Sequence, residues 1–179
     1  MTYETASTLH DLGLLRDSLA DHVDAEHLLA RASEHYAAAH TLLPADAWVL
    51  RNHADTLYDA AKARIAQLRA PLGLVVSDRF FFFDASEGLD VEPARALLQQ
   101  ACAKYSHAVQ LNPSYANALN SWGLALSTLA KLCESDAEAE ERFTEAYEKF
   151  ARAVSLRTDH QTEICNWAMT LVSTNYIYL

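Results

Sequence analysis

Two short side-chain patterns recur along this chain at fixed internal spacing, and they restrict its fold more than any other feature. Ala32, Tyr36, Ala39 and Pro44 are separated by 4, 3 and 5 residues; Ala101, Tyr105, Ala108 and Pro113 repeat those intervals. Ala146, Phe150, Ala153 and Thr158 repeat them again, with Thr in the Pro place. A second pattern follows each: Leu50, His53, Ala54, Leu57; then Leu119, Trp122, Gly123, Leu126; then Ile164, Trp167, Ala168, Leu171. Residues three, four and seven apart share one face of a helix. A small residue beside a bulky one lets a neighbouring helix come close while the large side chain fills the space alongside. The unit is therefore a pair of antiparallel helices that cannot bury its apolar stripe alone, so copies must stack.

Composition agrees with this reading. Of 179 residues 51% are hydrophobic, enough for a sizeable core. Ala occurs 32 times and is the best helix former, while Gly 4 and Pro 4 are too few for the turns of an all-β protein. The patterns resemble the 34-residue unit of the tetratricopeptide repeat (TPR) family, whose skeleton runs W-x2-L-G, A-x3-F, A, P. The implied fold is an all-α, right-handed helical-repeat solenoid of about three and a half units with two insertions. One repeat domain, 1–179, would hold units at about 13–46, 47–115 and 116–160 and a final helix at 161–175. In the first unit Leu19, Ala20 and Val23 fit the first-helix pattern, and Arg16 stands where a large apolar residue is usual.

The insertions can be measured. Pro44 to Pro113 is 69 residues, 35 beyond one unit, and Pro113 to Thr158 is 45, or 11 beyond. The short excess, about 132–142, carries an acidic, helix-favouring run in which Ser135 or Asp136 is a candidate N-cap, so both flanking helices should be lengthened. The long one, about 70–92, reads as irregular after a long helix and contains Phe80 to Phe83. Either these rings cover the neighbouring helix pair, or Phe81 and Phe82 form a second interface.

Several functions lack support. A net charge of −10, with −6 of it in residues 1–46, opposes binding to a phosphate backbone. The longest apolar runs fall far short of the roughly 20 residues of a membrane span, and the first residues resemble neither a secretory nor a mitochondrial leader. Cys102, Cys133 and Cys165 are odd in number and widely spaced, as suits free thiols in a reducing compartment. The eight histidines make no H-E-x-x-H pair, and no Gly-x-Ser-x-Gly, Gly-x-Gly-x-x-Gly or P-loop pattern exists. No metal, cofactor or catalytic residue is expected, and the chain is read as intracellular and cytoplasmic.

The resemblance implies where a partner binds. TPR ligands lie in the concave wall, at positions 2, 5, 9, 12 and 13 of each unit. These positions give Leu14, Asp17, Asp21, Asp24 and Ala25, then Trp48, Arg51, Asp55, Tyr58 and Asp59. From the third unit come Asn117, Asn120, Leu124, Ser127 and Thr128, and from the fourth Thr162, Cys165, Met169, Val172 and Ser173. Family members that clamp a terminal carboxylate need Lys and Asn where Asp17 and Asp21 stand, so that mode is excluded by repulsion. An interaction module holding a basic or amphipathic segment of another protein is the expectation. The alternative is a structural subunit joined through its C-terminal end or the Phe-rich insertion, with self-association through the C-terminal helix. The lengthened helices are also similar to those of the plant outer-mitochondrial-membrane import receptor, a TPR protein with an amphipathic-peptide ligand. The sequence adds neither a membrane anchor nor a further matched motif to that comparison.

Overall fold

The computed structural model describes residues 2–19, 21–70, 90–156, 164, 166–168 and 170. Among the described residues six helices have both ends defined and run in order: α1 (Thr2–Ser18), α2 (His22–Leu42), α3 (Ala47–Arg69), α4 (Glu92–Leu111), α5 (Ala116–Ala130) and α6 (Asp136–Ser155). The described residues contain no strand. Each helix packs chiefly on its neighbours in the chain, while α1 also touches α3 and α3 touches α5. The result is an all-α stack of antiparallel pairs, α1/α2, α3/α4 and α5/α6, of the TPR type.

Local chemistry sets the helix ends. The Asp46 carboxylate accepts the Trp48 and Val49 N–H groups at 2.8 and 3.3 Å and starts α3. Ser135 caps α6 by accepting the Glu138 N–H at 3.1 Å. Pro93 occupies the first turn of α4, where its missing N–H costs nothing. After α2 and α4 come Pro44 and Pro113, which cannot continue a helix. The second helices have nearly equal lengths, 21, 20 and 20 residues, so all three pairs are extended beyond the 34-residue unit.

The repeated residues form the core. Tyr36, Tyr105 and Phe150 are all buried, as are the alanines on either side of each. Gly123 marks the closest approach: a Cβ there would lie 2.6 Å from the Phe150 ring. Ala54 and Tyr105 share a buried cluster at the equivalent place in the second pair. In the fourth set, Trp167 packs beside Phe150 and Leu126, while Ile164 and Ala168 are exposed. The rest of that final helix, the 70–92 insertion from residue 71 to 89, and Phe81 and Phe82 within it lie outside the described residues.

The first pair departs from expectation. Its first helix begins at Thr2, not near residue 13, and a turn at Leu19 to Asp21 separates it from α2, with Leu19 and Asp21 N–H both bonding the Arg16 carbonyl. Leu19 and Val23, read as first-helix core, are exposed. The buried small residues on α1 are Ala6 and Gly13, seven apart, and a Cβ on Gly13 would meet Leu29 Cγ at 2.8 Å. Tyr36 faces the start of α1, with the Tyr3 ring 5.8 Å away. Lengthening both helices displaced the pattern from its usual offset, which explains why Arg16 looked anomalous: it is a surface residue.

Replacing Gly123 by Ala should destabilise the chain by about 1–3 kcal/mol, because the added methyl strikes a buried ring and the overlap outweighs the roughly 1 kcal/mol helix-propensity gain. Gly13→Ala should also cost stability, but less, since its contact to Leu29 Cγ is longer, 2.8 against 2.6 Å. Urea-unfolding midpoints of the two variants compare them directly.

Candidate functional site

The first helices of the pairs stand side by side, α1 touching α3 and α3 touching α5, and three side-chain groups populate the face they share. At the start of α3, Trp48 is 44% exposed and its ring lies 4.2 Å from that of Tyr3 on α1. One turn further, Arg51 Nη2 pairs with Asp55 Oδ2 at 2.7 Å, and the Tyr105 hydroxyl of α4 donates to Asp55 Oδ1 at 2.6 Å. Beyond these, His10 Nε2 of α1 meets Asp59 Oδ2 at 3.0 Å, Lys62 Nζ stands 3.8 Å from Asp59 Oδ1, and the same ammonium lies over the Tyr58 ring at 5.6 Å. On α5, Asn117 is exposed, Asn120 accepts from the Asn166 amide at 3.0 Å, and Leu124 is half-buried against the Leu126 and Phe150 cluster.

The face is less acidic than the residue list suggests. Asp55 serves Arg51 and Tyr105, and burial holds its carboxyl above the usual carboxylate value despite the Arg51 charge. The Tyr105 hydroxyl is pushed well up by burial and by Asp55. Asp59 is engaged by His10 and Lys62. Internal pairing therefore consumes the charge that was expected to steer a ligand. What remains open is aromatic and amide surface.

The first-unit positions are corrected. Asp17 Oδ1 pairs with His22 Nδ1 at 2.7 Å, and Asp21 Oδ2 with Arg16 Nη1 at 3.3 Å, both around the α1–α2 turn. Asp24 and Ala25 belong to α2, where Ala25 is fully buried. Asp21 and Asp24 thus leave the first-helix wall, because that helix ends at Ser18. The residues that α1 does contribute, Tyr3 and His10, were missed; their spacing of seven, matched by Ala6 and Gly13, was the available signal. Ser127 is also buried, bonding the Gly123 carbonyl and Thr170, so it is part of the core. Of the fourth-unit positions, Thr162, Cys165, Met169, Val172 and Ser173 lie outside the described residues.

Behind the face, a histidine cluster joins the first two pairs. His53 Nε2 is 2.9 Å from Ser33 Oγ, its ring stacks on Tyr36 at 6.3 Å, and its Nδ1 is buried without a partner among the described residues. Burial, with Lys104 and His40 nearby, lowers its pKa to about 4. His40 and His107 meet edge to face at 5.8 Å. Among the described residues no group of three or more His, Cys, Asp or Glu side chains could hold a metal ion. Burial pushes the thiols of Cys102 and Cys133 up, to about 12 and about 11.

A neutral buried His53 makes stability depend on pH. Its folded pKa lies below the ordinary 6.5, so between about 6.5 and 4 the unfolded chain binds the proton more readily. The contribution is complete above about 6.5 and is lost as pH falls toward 4, by up to about 3 kcal/mol. Asp55, whose pKa is raised, acts with the opposite sign. His53→Gln keeps a partner for Ser33 and should flatten the acid limb of denaturant midpoint against pH. An unchanged limb in that variant would assign the acid loss elsewhere.

Comparison with known proteins adds three findings. A family model described as the plant-specific mitochondrial import receptor subunit TOM20 matches residues 82–173, just over half of the chain. No curated protein matches. A solved structure described as the crystal structure of MamA protein is similar at 16% identity, covering 96% of this chain and 93% of that chain, with a TM-score of 0.21, too low to carry an argument. The matching family is described as a receptor subunit, not as an enzyme. It also overturns the cytoplasmic expectation, since its description places it in mitochondrial import. No helix among the described residues is long and apolar enough to cross a membrane. Leaders and membrane spans report how a chain is addressed, not which machinery it serves.

Proposed function

The chain belongs to the plant-specific TOM20 family of mitochondrial import receptor subunits, and from that premise we propose that its concave face captures an amphipathic segment of proteins bound for the mitochondrion. The observation that carries this reading is the exposed Trp48, backed by the Tyr3 ring and followed along α3 by Asp55 and Asp59, each already paired. An exposed aromatic ring with its neighbours already paired offers contact area without leaving a charge unsatisfied on binding. Tyr58 and Leu124 extend the apolar surface along α3 and α5, and Asn117 and Asn120 supply amide groups for the segment's polar edge.

Mitochondrial transit segments are amphipathic, Arg-rich and poor in acid. The apolar side of such a helix suits the Trp48 to Leu124 surface, and its arginines meet a chain of net charge −10. Steering then comes from the whole acidic molecule, while affinity comes from the rings. Raising salt should slow association more than it speeds dissociation.

A synthetic amphipathic helix peptide bearing arginines, titrated by fluorescence anisotropy, tests the groove. Trp48→Ala should raise its Kd about tenfold or more with little change in unfolding midpoint, because Trp48 is largely outside the core. Asp55→Lys is a contrasting control. It places a cation beside Arg51 and removes the Tyr105 acceptor, so it should unfold the chain before it informs on binding. Full affinity in Trp48→Ala would remove the groove from the reading.

A further inference from the structure

A helix face turned to solvent is ordinarily polar, and the outer face of α1 is not polar throughout. Leu12 and Leu15 lie on it, and Leu19 continues the spacing in the turn just past Ser18, where α1 ends; they are 40%, 55% and 67% exposed. Val23, at the beginning of α2, adds a fourth apolar side chain at 64%. Helical periodicity puts Glu4 and Asp11 on the same face, seven apart, with Asp11 one turn before Leu15. Both carboxylates are exposed, and neither has a cationic partner among the described residues. The face therefore changes character along its axis, acidic over the first turns and apolar over the last. It is distinct from the concave wall, where α1 presents Tyr3 and His10 toward α3.

We propose that this outer face of α1 docks a helix of a partner protein whose contact surface is apolar over about two turns and basic over the next two. Charge selects that occupant. The α1/α2 pair holds seven carboxylates (Glu4, Asp11, Asp17, Asp21, Asp24, Glu26 and Glu34) against Arg16 and Arg31. A second copy of the chain would bring two such fields together. A helix with Lys or Arg opposite Glu4 and Asp11 gains from the same field. Its leucine-like residues would cover Leu12, Leu15 and Leu19 as a further layer of the stack. The basic and apolar residues lie one after the other on a single helix face, which differs from the two-sided helix proposed for the groove. This docking surface does not depend on the groove reading.

The test uses two synthetic helices of roughly 18 residues, about five turns. Each carries an apolar i, i+3, i+7 stretch followed, on the same face, by two Lys or by two Glu. Binding to the full chain is followed by fluorescence anisotropy, with circular dichroism confirming that each variant is folded. The Lys peptide should bind at least about tenfold tighter than the Glu peptide. Leu15→Ser with Leu19→Ser should abolish that binding, and Glu4→Lys with Asp11→Lys should reverse the preference between peptides, while Trp48→Ala leaves it unchanged. Equal binding of both peptides by wild type and the charge-reversed variant would overturn the proposal. So would loss of binding in Trp48→Ala, which would put the peptide in the groove. A wild-type dimer in sedimentation that Leu15→Ser with Leu19→Ser dissolves would make the occupant a second copy, and would equally overturn it.

Discussion

Everything in this molecule depends on how closely two paired helices can approach. At Gly123 the backbone of α5 lies against the Phe150 ring of α6, leaving no space for even a methyl group. A small residue on one helix and an aromatic ring on its mate repeat in the α3/α4 pair as Ala54 and Tyr105. Burying an aromatic ring stabilises by a few kcal/mol, and close packing makes the contact sensitive to one methylene. Pair geometry then fixes where the first helices stand, α1 beside α3 and α3 beside α5.

The same economy governs charge. Asp55 links Arg51 on its own helix to Tyr105 on the next, and Asp59 links α3 to His10 of α1. These carboxylates hold helices in register. A lone buried carboxylate would carry a desolvation cost that such partners offset. The groove consequently offers rings and amides at close range, and the acidity of the molecule acts at a distance.

The alanine–aromatic–alanine pattern was legible because a buried helix face repeats it without interruption: Tyr36, Tyr105 and Phe150 all lie where their spacing puts them. The start of α6 was legible to within one residue, Ser135 or Asp136, because either side chain can accept a first-turn N–H; the Ser135 hydroxyl takes that place. The first helix was not. Its pattern is carried by Ala6 and Gly13, and both helices of the pair are lengthened, so a template of fixed length set the register on Leu19 and Val23 instead. Along α3 and α5 the places of Trp48, Asn117 and Asn120 follow from the helix register, but the pairing of Asp55 and Asp59 does not. Their partners Tyr105 and His10 are 50 and 49 residues away in the chain, and only tertiary packing brings them together.

The placement of the partner on the first helices is open to direct measurement. An isotopically labelled chain titrated with an arginine-bearing amphipathic helix peptide should show its largest NMR shift changes at the Trp48 indole, Tyr3, Asn117 and Asn120, along α1, α3 and α5. Amides on the solvent face of α2, α4 and α6 should stay still. Shifts concentrated on those second helices, with the Trp48 indole unmoved, would contradict a concave receptor groove.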